Sequence, residues 1–329
     1  MSYITISRAN FFHNLDFLSK KLGSKEKLAV VLKDEAYGHG LTLMAKLSQE
    51  FGIKRAIVKT ESEAQKIEDF FSDIVVLNPE FKTQNFSLVV NSLEKLSLAK
   101  RGQKLHLKVD TGMHRNGIMI DELEKAFSLI VKNNLTLAGV MTHFRSADEL
   151  SCELFWQERE WKKVKKDVEK LCKIHDKALP LFHSANSATV LRKNSFEDDF
   201  ARCGIAMYGY HEMPKVFGEY ELKPVLKLFA QKISSRVLKK GSRVGYGGVG
   251  ILESEKTVST YDIGYGDGFF RNLYHDKLGR VSMDSFSMIC DDDEVCVFDD
   301  AKEIAKQNKT ISYDVLVKLK PDIKKVVTP

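Results

Sequence analysis

No apolar run in the 329-residue chain approaches the roughly 20 residues that a membrane-spanning helix needs. The amino terminus, MSYITISRANFFHN, lacks the charged-then-apolar order of a secretion signal. Cysteine is scarce: Cys152, Cys172, Cys203, Cys290 and Cys296 are odd in number, scattered and without a CxxC pair. That pattern argues against a disulfide framework and against a structural zinc site. There is no stripe of arginines interleaved with aromatics, so the net charge of +6 describes a solvated, lysine-rich surface rather than a nucleic-acid face. No internal repeat or low-complexity segment interrupts the chain. These absences lead us to expect a soluble protein of the reducing cytoplasm, with no metal, membrane or nucleic-acid partner.

What is present is ordinary globular composition, 43% hydrophobic and 29% charged, at a length that suits one large domain and a smaller one. Short apolar runs alternate with amphipathic stretches through the first two thirds. LAVVL (28–32), RAIV (55–58), IVVL (74–77), SLVV (87–90), LHLKV (105–109), LAGVMTH (137–143), ALPLFH (178–183) and CGIAMYG (203–209) read as strands. DELEKAFSLIVKN (121–133) and ELFWQEREWKKVKKDVEKLCKIH (153–175) read as helices. Strands separated by helices predict an α/β fold, a (β/α)8 TIM-type barrel over residues 1–222. From 223 to 329 the texture changes to strand-like runs such as KISSRVL (232–238), TVSTYDI (257–263) and EVCVFD (294–299), bounded by Gly-rich or acidic turns. This predicts a mainly β carboxy-terminal domain.

Polar groups sit repeatedly at the strand ends, where barrel enzymes gather their active residues. Lys33 follows the first strand in AVVLKDEAYGHG, and Lys108, Asp110 and Arg115 surround the end of the fifth in KVDTGMHRNG. His143 ends the sixth, His183, Asn186 and Ser187 follow the seventh, and Arg202 stands just before the eighth. Each has a bland alternative. Lys33 can snorkel, His143 can be a satisfied core histidine, Arg202 can pair with Asp198 or Asp199, and Tyr37-Gly-His-Gly can be a plain turn. Together they suit one pocket holding an anionic, planar ligand through a lysine. Pyridoxal phosphate uses such a lysine and needs a partner for its ring nitrogen and donors for its phosphate. Arg202 can serve the nitrogen; Ser187, Tyr313 and the amides of Gly204 and Ile205 can serve the phosphate.

The motifs AVVLKDEAYGHG, KVDTGMHRNG, THFRSADE, HSANSA, RCGIAMYG, GYGG, GYGDG, RVSMD and TISYDVL, in this order, resemble those of bacterial alanine racemases, which are fold-type III pyridoxal-phosphate enzymes. The resemblance implies a head-to-tail homodimer interconverting L- and D-alanine and supplying D-alanine for peptidoglycan. It implies that Lys33 carries the cofactor and serves as base on one face of the substrate. Tyr246 of GYGG, from the partner subunit, serves on the other. Tyr37, Ser187, Gly204, Ile205 and Tyr313 match phosphate-binding positions, with Asn186 beside them, and Arg202 matches the residue on the ring nitrogen. His143 matches the link between Tyr246 and Arg202. Arg115 and the amide of Met283 match the contacts to the substrate carboxylate. Lys108 matches a lysine that is often carbamylated and orients Arg115, and Tyr265 of GYGDG matches a tyrosine at the entrance.

The chain departs from the family pattern at Asp34-Glu35, at Arg145 after THF, at Ser282 before Met-Asp and in its KKVVTP ending. Three other readings stand beside alanine racemisation. A serine or broad-specificity racemase is one, since an apolar pocket rejects an added hydroxyl only by about a hundredfold. A related decarboxylase lacks its Cys-Asp pair here. A non-catalytic pyridoxal-phosphate carrier would not be expected to carry the β domain with Tyr246.

Overall fold

The first strand lies outside the barrel. In the computed structural model, which describes residues 1–329, β1 (Tyr3–Ser7) joins the carboxy-terminal sheet, so the division expected at 222/223 leaves one amino-terminal strand on the far side. The cause is local alternation: Ile4 and Ile6, both fully buried, lie opposite Leu228 and Leu226 of that sheet. The helix Arg8–Leu22, capped by Ser7, then leads the chain into the barrel.

Eight parallel strands follow: β2 (Leu28–Val31), β3 (Arg55–Val58), β4 (Asp73–Val76), β5 (Ser87–Val90), β6 (Lys104–Lys108), β7 (Thr136–Met141), β8 (Leu181–His183) and β9 (Ala201–Cys203). They pair in chain order from β2 to β8, and β9 closes back on β2. Between β8 and β9 there is no ladder, only single links such as the Arg202 amide to the Ala185 carbonyl, 3.0 Å. β2 and β5 are buried at every position, as expected of strands covered by helices outside and packed side chains inside. The fold is thus the α/β barrel that the sequence predicts, with one correction. The eighth strand is Ala201–Cys203 rather than 203–209, because Gly204 leaves the extended region and Ile205–Tyr208 winds into a 3-10 turn. That run is buried throughout, so its burial imitates a core strand. The shift moves Arg202 into the middle of a strand.

The remainder is mainly β. β10 (Leu226–Leu238) spans both KPVLKL and KISSRVL as one strand. β11 (Arg243–Val244), β12 (Gly250–Ile251), β13 (Lys256–Tyr261), β14 (Phe286–Met288), β15 (Glu294–Phe298) and β16 (Lys324–Thr328) complete it, with two short helices, Ala301–Gln307 and Ser312–Val317. The main sheet runs β14-β13-β10-β1-β16, with β15 also on β10. The unusual KKVVTP ending is therefore a strand, parallel to β1. A single cluster of 84 buried apolar residues runs through both parts, so the barrel and the β part share one core.

Candidate active site

A cavity of about 530 Å3 opens at the carboxyl ends of the barrel strands. Val31, Ile57, Leu77, Val89 and Met141 form its apolar floor. Five cationic side chains, Lys33, Lys59, Lys108, Arg115 and Arg202, line it against one carboxylate, Asp34. Such an imbalance attracts and holds anions.

Lys33 sits where β2 gives way to an abrupt turn. Asp34, Glu35, Ala36 and Tyr37 all have left-handed backbones, with φ of 53°, 55°, 51° and 54°. Each costs about 1–2 kcal/mol in an L-residue, so the turn needs holding. The Asp34 amide donates to Glu63 Oε1 at 2.8 Å, and Lys59 Nζ lies 2.8 Å from Asp34 Oδ1. The Glu35 carboxylate accepts the Leu41 amide at 3.1 Å, capping the next helix. His39 Nδ1 donates to the carbonyls of Ala36 (3.1 Å) and Tyr37 (2.9 Å). The departure at Asp34-Glu35 therefore supplies two of the clamps on the turn that presents Lys33.

One end of the cavity is an anion cradle. Ser187 Oγ accepts the amides of Gly204 (3.0 Å) and Ala206 (3.4 Å). Ile205 opens its 3-10 turn, so its amide has no partner within the turn. Tyr37 and Tyr313 stack at 5.8 Å between ring centroids, and burial pushes both phenols well above the ordinary tyrosine range, keeping them as donors. A Cβ on Gly204 would lie 2.6 Å from Tyr37 Oη, so the cradle admits only glycine there. Asn186 contributes indirectly: its Oδ1 accepts the Thr189 amide and hydroxyl, both 3.0 Å, capping the helix that carries Ser187.

Arg202 lies at the opposite wall, buried and crowded with acceptors. Nη1 donates to the His183 carbonyl and Nδ1, both 2.8 Å. Nη2 donates to the carbonyls of Thr142 (2.7 Å) and Ser184 (3.0 Å) and to His143 Nδ1 (3.4 Å). Only Nε–H is left uncommitted. Burial lowers this guanidinium to about 10, which leaves it charged at neutral pH. Because arginine only donates, His143 and His183 accept at Nδ1 and carry their protons on Nε2. His183 Nε2 then donates to His106 Nδ1 at 2.8 Å. Burial, and secondarily the charge of Arg202, holds His143 and His183 well below the ordinary histidine value. Gly139, opposite His106 on β7, makes this pair possible, since a Cβ there would meet His106 Nδ1 at 2.3 Å.

Lys108, on β6, is buried beside Arg115 and Arg202. Burial first, and those charges second, lower its amine to about 8. It hydrogen-bonds Asn116 Oδ1. The turn bearing Arg115 is clamped by Asp110 Oδ1, which accepts the amides of Gly112 (2.8 Å) and His114 (3.1 Å). Arg145 adds a further clamp, donating from Nη1 to the Gly112 carbonyl at 2.9 Å while pairing with Glu153. The unusual residue after THF thus supports the loop that carries Arg115.

The cavity brings together Lys33, Tyr37, Lys108, Arg115, His143, Asn186, Ser187, Arg202, Gly204, Ile205 and Tyr313. It does not include Tyr246, Tyr265 or Met283, which lie on the β part, 62%, 37% and 55% exposed. Tyr246 rides on a turn in which Gly245, Gly247 and Gly248 all have positive φ. Sequence reading missed Lys59, Asn78, Asn91 and Asn116 as lining residues, and His106 as the partner of His183. The strand-end rule that found Lys33 would also have found Lys59, one residue past β3.

The cradle for a dianion, the free Arg202 Nε–H across the cavity and the strand-end amine between them fit pyridoxal phosphate. Fold and site define a fold-type III pyridoxal-phosphate enzyme. Residues 6–212 match the alanine racemase amino-terminal domain and residues 225–327 its carboxy-terminal domain. An alanine racemase of a Nitratiruptor species is 51% identical over 97% of both chains. One of Campylobacter curvus is 44% identical over 99% of both. The crystal structure of alanine racemase from Bacillus anthracis with bound L-Ala-P superposes with a TM-score of 0.88 at 25% identity, covering 100% of this chain and 95% of that one. The chain belongs to the alanine racemase family.

Proposed function

We propose that the chain interconverts L-alanine and D-alanine with pyridoxal phosphate, through two bases on opposite faces of the substrate. One observation carries this reading. The cavity holds a strand-end lysine and a phosphate cradle, while the tyrosine that the motifs pair with that lysine stands exposed on another surface of the same chain. A second copy, docked head to tail, would bring Tyr246 to the mouth of the cavity.

Racemisation removes a proton from one face of Cα and returns one to the other. Lys33 Nζ handles the proton on one face and Tyr246 Oη of the other copy handles it on the opposite face, so neither has to move. Bound pyridoxal phosphate supplies a conjugated ring that spreads the negative charge left at Cα. Ser187, Tyr37, Tyr313 and the amides of Gly204 and Ile205 hold the phosphate. Arg202 Nε–H binds the ring nitrogen and keeps its proton. His143, a donor at Nε2, is poised to stabilise the Tyr246 oxygen. Arg115 and the Met283 amide, which bonds no other group of its own chain, bind the substrate carboxylate. Lys108 orients Arg115, and Tyr265 narrows the entrance.

The barrel, 1–222, binds cofactor and the β part, 223–329, supplies Tyr246. The product feeds cell-wall peptide synthesis, and the enzyme works in the cytoplasm; no helix is long and apolar enough to cross a membrane. A broader specificity is the second reading, favoured by Asn78, Asn91 and Asn116 along the wall. The test is a racemisation assay over a panel of L-amino acids with chiral product analysis. D-alanine is expected as the fastest-formed product, and a holoenzyme forming none would overturn the reading.

A further inference from the structure

Among the charged side chains away from the cavity, Lys277 is the most deeply buried. Its side chain is 2% exposed, and its only ion partner is the adjacent Asp276, with Nζ 2.8 Å from Oδ2. Three rings surround the ammonium: Tyr274 and Phe286 at 5.0 Å and Phe269 at 5.6 Å from their centroids. All three rings are buried, and Phe269 stacks on Tyr274 at 5.0 Å. An ammonium is costly to desolvate, and the negative faces of aromatic rings are among the few neutral groups that offset that cost. A leucine or methionine would fill such a box without the cost, so the cation needs a reason.

The reason lies in what the Lys277 loop supports. The residues just after it back directly onto the Tyr246 turn. A Cβ on Gly279 would meet the Val244 carbonyl at 2.7 Å, and one on Gly250 would meet the Gly279 nitrogen at 2.7 Å. Gly245 lies in van der Waals range of the Arg280 backbone, a Cβ there standing 3.5 Å from its nitrogen. The glycine turn itself is weakly held: β11 and β12 are two residues each and pair only with one another. Further along the same loop, the Ser282 carbonyl accepts the Tyr265 amide at 3.0 Å and the Met283 carbonyl accepts the Gly266 amide at 2.7 Å. The far side of the loop is tied to β14 by the Leu278 amide on the Ser287 carbonyl, 2.7 Å.

We infer that Lys277 is a positioning residue for the second base: its ammonium, held in the aromatic box, fixes the loop 277–283 against which the Tyr246 turn is set. An apolar side chain would fill the box but slide in it, since dispersion is not directional, whereas a cation has a preferred seat over three ring faces and beside Asp276. A turn with three positive-φ glycines and a two-residue ladder has little rigidity of its own, so its Oη placement is inherited from this loop.

The inference rests on Tyr246 removing the proton of L-alanine, and the test separates the two. Wild-type holoenzyme and Lys277→Met are compared with [2-2H]-L-alanine and [2-2H]-D-alanine. A shift in Oη position of even 1 Å slows its proton transfer by roughly tenfold to a hundredfold. The primary isotope effect should then rise with deuterated L-alanine and fall with deuterated D-alanine, because one step has become limiting from both directions. Backbone hydrogen exchange over 243–251 should quicken, and cofactor content should match wild type. Both isotope effects unchanged, whatever the loss of rate, would reduce Lys277 to a stability residue and overturn the inference. Should Lys277→Met not fold, Lys277→Arg, which keeps the charge in a differently shaped head, is read by the same pair of isotope effects and the same exchange measurement. If wild type itself shows no racemisation, the reading of the function fails instead.

Discussion

Arg202 Nη2 donates to His143 Nδ1 at 3.4 Å, and the direction of that bond fixes the other imidazole nitrogen as a donor. Burial keeps this imidazole neutral. A neutral histidine presenting Nε2–H to the cavity mouth suits a phenolic oxygen that must bear partial negative charge.

Replacing His143 by phenylalanine removes that donor while conserving bulk. We predict that kcat falls about a hundredfold, in line with loss of one preorganised donor, while cofactor content stays near wild type. His143→Gln, which retains an N–H, should keep part of the rate. Unchanged kcat in His143→Phe, measured by chiral assay, would remove His143 from the proton-handling machinery.

Acid should unfold the protein through its buried imidazoles. His39 is held at about 4 by burial, below the ordinary 6.5, so the unfolded chain binds the proton more readily. Its contribution to stability is full above about 6.5 and is lost as pH falls toward 4, about 3 kcal/mol for a change of that size. His106 shifts in the same direction and to a similar value. Denaturant melts from pH 7 to pH 4 should show stability falling through this window; a flat profile would contradict the neutral, buried assignment.

Gly204→Ala tests the cradle without touching charge. The new methyl would meet Tyr37 Oη at 2.6 Å and push it from its seat. We expect cofactor affinity to fall at least tenfold, on the order of one lost hydrogen bond to a charged group, with thermal stability of the apoprotein little changed. Equal affinity, read by equilibrium dialysis, would place the phosphate elsewhere.

The barrel was legible because its strands are short apolar runs set between amphipathic helices, and seven of the eight fall within a few residues of their expected positions. Ile205–Tyr208 misled because a fully buried 3-10 turn has no periodicity to separate it from a core strand. The strand Tyr3–Ser7 has the alternation of a strand, but its partner β10 is more than 200 residues away, beyond the reach of local pattern. Site residues at strand ends followed from topology. The support behind them did not: the His106–His183 pair, the Arg145 clamp and the aromatic box of Lys277 join residues distant in sequence or depend on packing that no spacing rule encodes.

The central claim is that Lys33 of one chain and Tyr246 of another flank one substrate carbon. Inactive Lys33→Ala and inactive Tyr246→Phe proteins, unfolded together and refolded as a mixture, form hybrids in which one site has both groups intact. With random pairing, activity should return to roughly a quarter of wild type. A mixture that stays inactive although subunit exchange is verified would show that both groups must come from the same chain.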